Sequence, residues 1–209
     1  MSEREPTFVE VARRRQIVEG TVALIAEQGY AGASLSAIAG RAGISKAAVL
    51  YHFAGKDQVI AAAFGRVADE LVAEVGARVD AADGPTAMLE AYVRGMVEHW
   101  GGRPGHVRVL AEVMAGGAGP ADVTSRWEAV AGILADGQRA GAFRAFDPRV
   151  LALAIGGAID GVVLAWLPDA VTSDGAVPAL DLGAAADELV TAVLLAVRRG
   201  PDRGRGAGG

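Results

Sequence analysis

The chain has 209 residues, of which 52% are hydrophobic but only 5% aromatic, so aliphatic side chains and alanine must build its core. It has no cysteine, which excludes disulfides and thiolate metal sites. The net charge of −5 argues against a nucleic-acid partner only if the charge is averaged over the whole chain. Residues 1–56 carry seven lysines and arginines against five glutamates, a net +2, and the remainder carries −7. This asymmetry fits an anionic partner for the first region.

The spacing of apolar residues predicts helices throughout, and no alternating strand pattern bounded by turn residues interrupts them. Gly29 follows the first helix as a stop signal, and Ser34, Ser45, Asp147 and Asp181 can cap the starts of later helices. Several prolines also stand at or near predicted starts. We therefore expect an all-α fold with about nine helices. The predicted ranges are 8–28, 35–42, 46–53, 56–79, 85–101, 104–115, 120–140, 148–167 and 181–198.

Residues 34–53 have the layout of a helix-turn-helix, in which two short helices are joined by a tight turn at Gly43. The side chains predicted to form its core are Leu35, Ile38, Ala39, Ile44, Val49 and Phe53. Those predicted to point outward from the second helix are Ser45, Lys46, Ala47, Leu50, Tyr51 and His52. A short helix with small and cationic residues at its start can enter a major groove.

Residues 29–57 read GYAGASLSAIAGRAGISKAAVLYHFAGKD. This stretch resembles the N-terminal domain of TetR-family (TetR/AcrR-type) regulators, and the resemblance extends over about residues 11–71. It rests on Gly29-Tyr30, Ser34, Ile38-Ala39, Ala42-Gly43-Ile44-Ser45, Tyr51-His52-Phe53 and Lys56-Asp57. The resemblance implies a ligand-responsive transcriptional regulator, most often a repressor. Such a regulator binds a palindromic operator as a homodimer and releases it when a small molecule binds.

The resemblance also implies the DNA contacts. By this resemblance, phosphates are contacted from the positions of Ser34, Tyr51, His52 and Lys56. Phosphates or bases are contacted from the positions of Ser45 and Lys46. Two positions depart from the family pattern, which often has Thr where Ala48 stands and Tyr where Leu50 stands. Leu50 can instead contact a thymine methyl group. The expected DNA-binding residues are Ser34, Ser45, Lys46, Ala47, Leu50, Tyr51, His52 and Lys56.

Plainer interpretations remain open for several of these residues. Tyr51 and Phe53 can be core aromatics, and Phe53 fits that role best. Lys46 and Lys56, the only lysines in the chain, can be ordinary solvated charges. The run from Arg13 to Arg15 is either a generic charged face of the first helix or a contact to the DNA backbone.

The domain organisation expected from these features has four parts. Residues 1–7 form a flexible arm, residues 8–56 form the DNA-binding domain, residues 57–199 form a helical domain for ligand binding and dimerisation, and residues 200–209 form a disordered glycine-rich tail. The last two helices are expected to form a four-helix bundle with a second subunit, although they can also simply close the core of one subunit. The dimer-interface residues predicted are Leu151, Ile155, Ile159, Val163, Leu189 and Val193.

The middle helices are expected to hold a largely apolar small molecule, because apolar pockets with few polar groups are the usual sites for such ligands. The predicted ligand-binding residues are Phe64, Met88, Tyr92, Met96, Trp100, Met114, Trp127 and Asp160. Any one residue of these types is more often a plain core residue than a ligand contact. Asp160 is the most informative, because an acid in an apolar helix must find a partner. No cofactor and no metal site are expected.

Three other classes of protein compete with this interpretation, namely a membrane protein, an enzyme and a helical adaptor. Residues 150–167 are nearly all apolar and approach the length of a membrane span, but Asp160 near the middle favours a buried helix in a core or subunit interface. An enzyme lacks support, because the sequence contains no GxSxG, HExxH, P-loop or dinucleotide fingerprint. A helical adaptor without DNA binding is the remaining alternative. We expect a cytoplasmic, nucleoid-associated bacterial protein.

Overall fold

A computed structural model describes residues 7–115, 125–166 and 180–199, without the side chains of 112–115 and 125–126. These residues form nine α-helices and no β-strand, which confirms the all-α prediction. The helices are α1 (Phe8–Gly32), α2 (Leu35–Arg41), α3 (Lys46–His52), α4 (Lys56–Asp80), α5 (Gly84–Gly102), α6 (Pro104–Ala115), α7 (Ser125–Arg139), α8 (Pro148–Trp166) and α9 (Leu182–Val197). The predicted tail 200–209, most of the predicted arm 1–7 and the start of the predicted helix 120–140 lie outside the described residues.

The helix starts follow from local capping, as the sequence predicts. The hydroxyl oxygens of Ser34 and Ser45 accept from backbone N–H groups at the starts of α2 and α3. The carboxylates of Asp147 and Asp181 do the same for α8 and α9. Each cap satisfies N–H groups that have no partner within the helix.

The end of α1 differs from the sequence prediction, which stops the helix at Gln28. Gly29 has a φ of 71°, a value that suits glycine, and it kinks the chain. Helical turns then resume as far as Gly32. A glycine with positive φ therefore bends this segment without ending it.

The chain divides into two compact units. The first, which we call the head, contains α1–α3, α4 as far as Glu70, and α6. The second, which we call the body, contains α4 from Leu71 onward, α5, α7, α8 and α9. The head extends beyond the predicted DNA-binding domain 8–56. It does so because α4 continues within it and α6 packs against α1.

The head has an aliphatic core with one aromatic ring. Ile17 and Ile25 of α1, Ile38 of α2 and Val49 of α3 are fully buried, and Phe53 closes the group. Leu35 and Ile44, which were expected in this core, are half-buried.

The α6 helix joins the head through a close approach to α1. The Arg108 guanidinium donates to the carbonyl of Ala26 at 2.9 Å. A Cβ placed on Gly105 would lie 2.7 Å from the Cβ of Ala26, so glycine permits this approach.

The body is organised around α5, which packs against α7, α8 and α9. Leu89, Val93, Val97 and Trp100 are among its buried residues. The α8 helix is long and apolar enough to cross a membrane by length and composition alone, a test that core helices of soluble proteins also pass.

Candidate nucleic-acid interface

The turn between α2 and α3 is built from short-range contacts. Gly43 has a φ of 64°, which suits glycine, and the N–H of Ile44 donates to the carbonyl of Ala39 at 3.0 Å. The Oγ of Ser45 accepts from the N–H of Ala48 at 3.1 Å, and the Oγ of Ser34 caps α2 in the same way. Capping uses these hydroxyls as acceptors, so each still has a proton to donate to an external anion.

The α3 helix has one buried side and one exposed side. Val49 and Phe53 are buried. On the other side, Leu50 is 43% exposed and Tyr51 is 75% exposed. Most of the predicted DNA contacts are exposed, namely Ser34, Ser45, Lys46, Ala47, Leu50 and Tyr51, whereas His52 and Lys56 are half-buried. Six of the eight side chains are thus accessible from outside the head.

Lys56 has partners inside the head. Its ammonium group donates to the carbonyl of Tyr30 at 2.9 Å and lies 4.0 Å from the centre of the Tyr30 ring. This contact ties the start of α4 to the end of α1. The ammonium group has two further protons with which it can bind a phosphate.

The first helix holds the C-terminal end of α3 through two side chains one turn apart. Arg14 donates to the carbonyl of His52 and stacks over the ring of Phe53, 4.1 Å from its centre. Glu10 accepts from the hydroxyl of Tyr51 at 3.2 Å. The sequence reasoning missed both contacts. The only signal was the charged run from Arg13 to Arg15, which does not reveal a partner nearly forty residues away.

Two further contacts from α1 position the helix-turn-helix. The amide of Gln16 donates to the carbonyl of Ala42, next to the turn, at 2.9 Å. Arg41 forms a two-pronged ion pair with Glu27, with N–O distances of 2.8 and 2.5 Å. The hydrogen bond from Arg41 lowers the pKa of the Glu27 carboxyl below its ordinary value of 4.5. Both side chains are solvent-exposed, so water screens the pair.

The predicted ligand-binding residues fall into three groups. Met88, Tyr92, Met96 and Trp100 recur every fourth residue along one stripe of α5, and all but Met88 are buried. In the body, Trp127 of α7 and Asp160 of α8 are half-buried. Of the other two positions, Phe64 belongs to the head, and the side chain of Met114 lies outside the described residues.

The body offers two features that bear on a ligand. The indole N–H of Trp100 is buried and has no hydrogen-bond partner in the described part of the chain. A small open pocket of about 80 Å³ lies between α7 and α8 beside Trp127 and Arg149. No group of three or more potential metal-binding side chains occurs among residues 7–111, 127–166 and 180–199.

The predicted dimer-interface residues mostly face the interior of the body. Ile155, Ile159, Val163 and Val193 are buried, and Leu151 and Leu189 are half-buried. The α8 helix is apolar on both sides, and the side that carries Ile155, Ile159 and Val163 packs inward. The opposite side is exposed and consists of Val150, Leu153, Ala154, Gly157, Ala158, Gly161, Leu164 and Ala165.

Comparison with known proteins links these features to a family. Residues 17–63 match the family described as bacterial regulatory proteins, tetR family. The HTH-type transcriptional regulator BetI of Stenotrophomonas maltophilia is 39% identical over 88 residues, covering 42% of this chain and 45% of that protein. The BetI of Burkholderia thailandensis is 37% identical over 82 residues, covering 39% and 42%. The chain thus spans less than half the length of each of these relatives.

Solved structures show the same fold over nearly the whole chain. The fatty acid degradation regulator FadR from Bacillus halodurans matches with a TM-score of 0.74 at 20% identity, covering 92% of this chain and 97% of that one. FadR from Bacillus subtilis, solved in complex with stearoyl-CoA, matches with a TM-score of 0.72 at 19% identity, covering 88% and 99%. The helix-turn-helix of this chain thus lies within a segment similar to the tetR family of bacterial regulatory proteins, and its all-α fold is that of these solved structures.

Proposed function

We propose that this protein is a cytoplasmic, DNA-binding transcriptional regulator that binds a palindromic operator as a homodimer and represses transcription until a small molecule binds the body. The observation that carries the proposal is the exposed side of α3, whose opposite side is buried through Val49 in the core of the head. The proposal contains no catalytic step.

The chemistry of α3 supports a major-groove contact. Lys46 brings a positive charge, Ala47 is small enough for close approach, and Leu50 offers an apolar group to a thymine methyl. The hydroxyls of Tyr51, Ser34 and Ser45 are groups that can donate to phosphates. Phosphate contacts of this kind position a protein on the duplex, and the base-edge contacts give specificity.

The outer side of α8 supports a homodimer. In an 18-residue window of this apolar helix only 28% is buried by the described residues of one subunit, so the exposed apolar side is suited to a partner. Glycine and alanine on that side allow a second helix to approach closely. A two-fold partner would present the same side of its own α8 and would set two heads on the two halves of a palindrome.

The body supports an apolar effector. The α5 stripe of Met88, Tyr92, Met96 and Trp100 is largely apolar and mostly buried, and the Trp100 indole N–H has no hydrogen-bond partner in the described part of the chain. A protein of the same fold, FadR from Bacillus subtilis, holds stearoyl-CoA. A ligand relieves repression only to the extent that it binds the DNA-free conformation more tightly than the DNA-bound one.

The DNA-binding proposal is tested with a duplex containing a palindrome from beside the protein's own gene, titrated at several salt concentrations. Wild-type binding should weaken steeply with salt, because Lys and Arg displace counterions from phosphates. Lys46→Ala should reduce the slope of log affinity against log salt by about 1.8, which is about 0.9 for each subunit of the bound dimer. Tyr51→Ala should weaken binding, and the control Arg139→Ala in the body should not. Equal binding by wild type and Lys46→Ala would contradict the assignment of α3.

The homodimer is tested by mass measurement in solution. The double substitution Leu153→Glu and Leu164→Glu places charges on the exposed side of α8 and should produce monomers. Val72→Glu changes an apolar residue on α4 that is 66% exposed, against 55% for Leu153 and 43% for Leu164, and should leave the dimer intact. A monomeric wild-type protein, or a dimer that survives the double substitution, would rule out this interface.

A further inference from the structure

One glutamate of α1 contacts α3. The Oε1 of Glu10 accepts from the hydroxyl of Tyr51 at 3.2 Å, although Tyr51 is otherwise 75% exposed. The Oε2 of the same carboxylate accepts from the N–H of Thr7 at 2.7 Å and from its hydroxyl at 2.9 Å. The carboxylate is therefore oriented by the capping box at the start of α1 while it holds a side chain of α3.

The surrounding contacts keep Tyr51 within reach of Glu10. One turn further along α1, Arg14 donates to the carbonyl of His52 and stacks on Phe53. The ring of Tyr51 meets the ring of His52 edge to face, with centres 5.0 Å apart. The residues on the C-terminal side of Tyr51 are thus fixed to the same helix that carries Glu10.

A phenolic hydroxyl has a single proton to donate. In the free protein the Tyr51 hydroxyl donates it to a carboxylate, whereas a DNA contact of Tyr51 would donate it to a phosphate. The two acceptors therefore compete for one proton, and both are anions. Binding DNA through Tyr51 requires the hydroxyl to leave Glu10 and brings a phosphate close to the carboxylate.

We infer that Glu10 is a positioning residue that mimics a phosphate within the protein and weakens DNA binding by holding the Tyr51 hydroxyl. The inference rests on the proposed DNA-binding function. It assigns to Glu10 an effect opposite to that of the neighbouring cations. The capping box keeps the side chain in place, because the same carboxylate stabilises the start of α1.

The test is a double-mutant cycle of Glu10→Gln and Tyr51→Phe. Glutamine keeps an acceptor oxygen for the cap at Thr7 but removes the charge. Glu10→Gln should tighten binding to a mixed-sequence 30-base-pair duplex at low salt by about three- to tenfold, because the cap uses the amide oxygen and the Tyr51 hydroxyl then faces an NH2 group that cannot accept its proton. In the Tyr51→Phe background the same substitution should have no more effect than a remote charge change.

The matched control is Glu19→Gln, which removes a negative charge from an exposed position on α1. Glu19 forms an ion pair with Arg15 at 3.7 Å. Melting temperatures of all variants verify that the head stays folded. A gain in affinity that depends on Tyr51 supports the inference. It is overturned by an unchanged or weaker affinity of Glu10→Gln, or by a gain of equal size in the Tyr51→Phe background. A wild-type protein that binds no duplex refutes the proposed function, and the inference with it, whereas binding without coupling refutes the inference alone.

Discussion

The head and the body differ in how clearly each helix separates its buried side from its exposed side. In α3, Val49 is buried together with Phe53, which directly follows the helix, and Lys46 and Tyr51 are exposed, so chemistry and burial agree. In α8, buried Ile159 and exposed Leu153 are both apolar, so chemistry does not tell the two sides apart. The exposed side of an amphipathic helix can therefore be predicted from the sequence. The exposed side of a uniformly apolar helix is known only from how the helix packs.

The largest effect on stability is expected from removing the aromatic ring of Phe53 from the core of the head. Phe53→Ala should destabilise the head by about 3–5 kcal/mol, because it removes a buried ring and leaves a cavity. Hydrogen exchange measured by mass spectrometry should show faster exchange in α1–α3. Val72→Ala, at a position 66% exposed, should change stability by less than about 0.5 kcal/mol. Unchanged exchange in α1–α3 would mean that Phe53 does not support the head.

Two adjacent glycines test the two sides of α8. A Cβ on Gly156 would overlap the indole ring of Trp127, so Gly156→Ala should destabilise the body by about 1–3 kcal/mol. A Cβ on Gly157 meets nothing within 4 Å in one subunit, so Gly157→Ala should stabilise the body of a monomeric protein by about 0.5–1 kcal/mol. Urea unfolding measures both. Equal responses would show that the two sides of α8 do not differ as described.

The turn of the helix-turn-helix gives a smaller effect. Gly43→Ala should cost about 1–2 kcal/mol, because alanine is strained at a φ of 64° although no atom obstructs its Cβ. Gly40→Ala, in α2 and equally unobstructed, should stabilise the head by about 0.5–1 kcal/mol. Thermal unfolding of the two variants compares them directly. A Gly43→Ala variant as stable as Gly40→Ala would contradict the backbone argument.

The smallest effect concerns pH and the exposed pair of Glu27 and Arg41. Because the folded state lowers the pKa of Glu27, the pair stabilises the head above pH 4.5, and this contribution is lost as the pH falls through the folded-state pKa. Glu27→Gln should therefore melt slightly below the wild type at pH 7, and the difference should close towards pH 3. A difference that stays constant across this range would show that the ion pair contributes nothing.

The sequence by itself determined the helix starts, the helix-turn-helix and the exposed side of α3. These features depend on residues close together in the chain, such as the caps at Ser34, Ser45 and Asp181, and on alternation between polar and apolar residues. Local hydrogen bonding and side-chain periodicity suffice to specify them.

Only the tertiary structure decided which residues meet across the chain. Tyr51 with Glu10, Arg14 with His52, and Lys56 with Tyr30 are separated by 41, 38 and 26 positions. Side chains of these types have many suitable partners, and packing alone selects among them. Packing likewise decides the burial of Ile155 and Ile159 on α8, because both sides of that helix are apolar and burial of either is favourable.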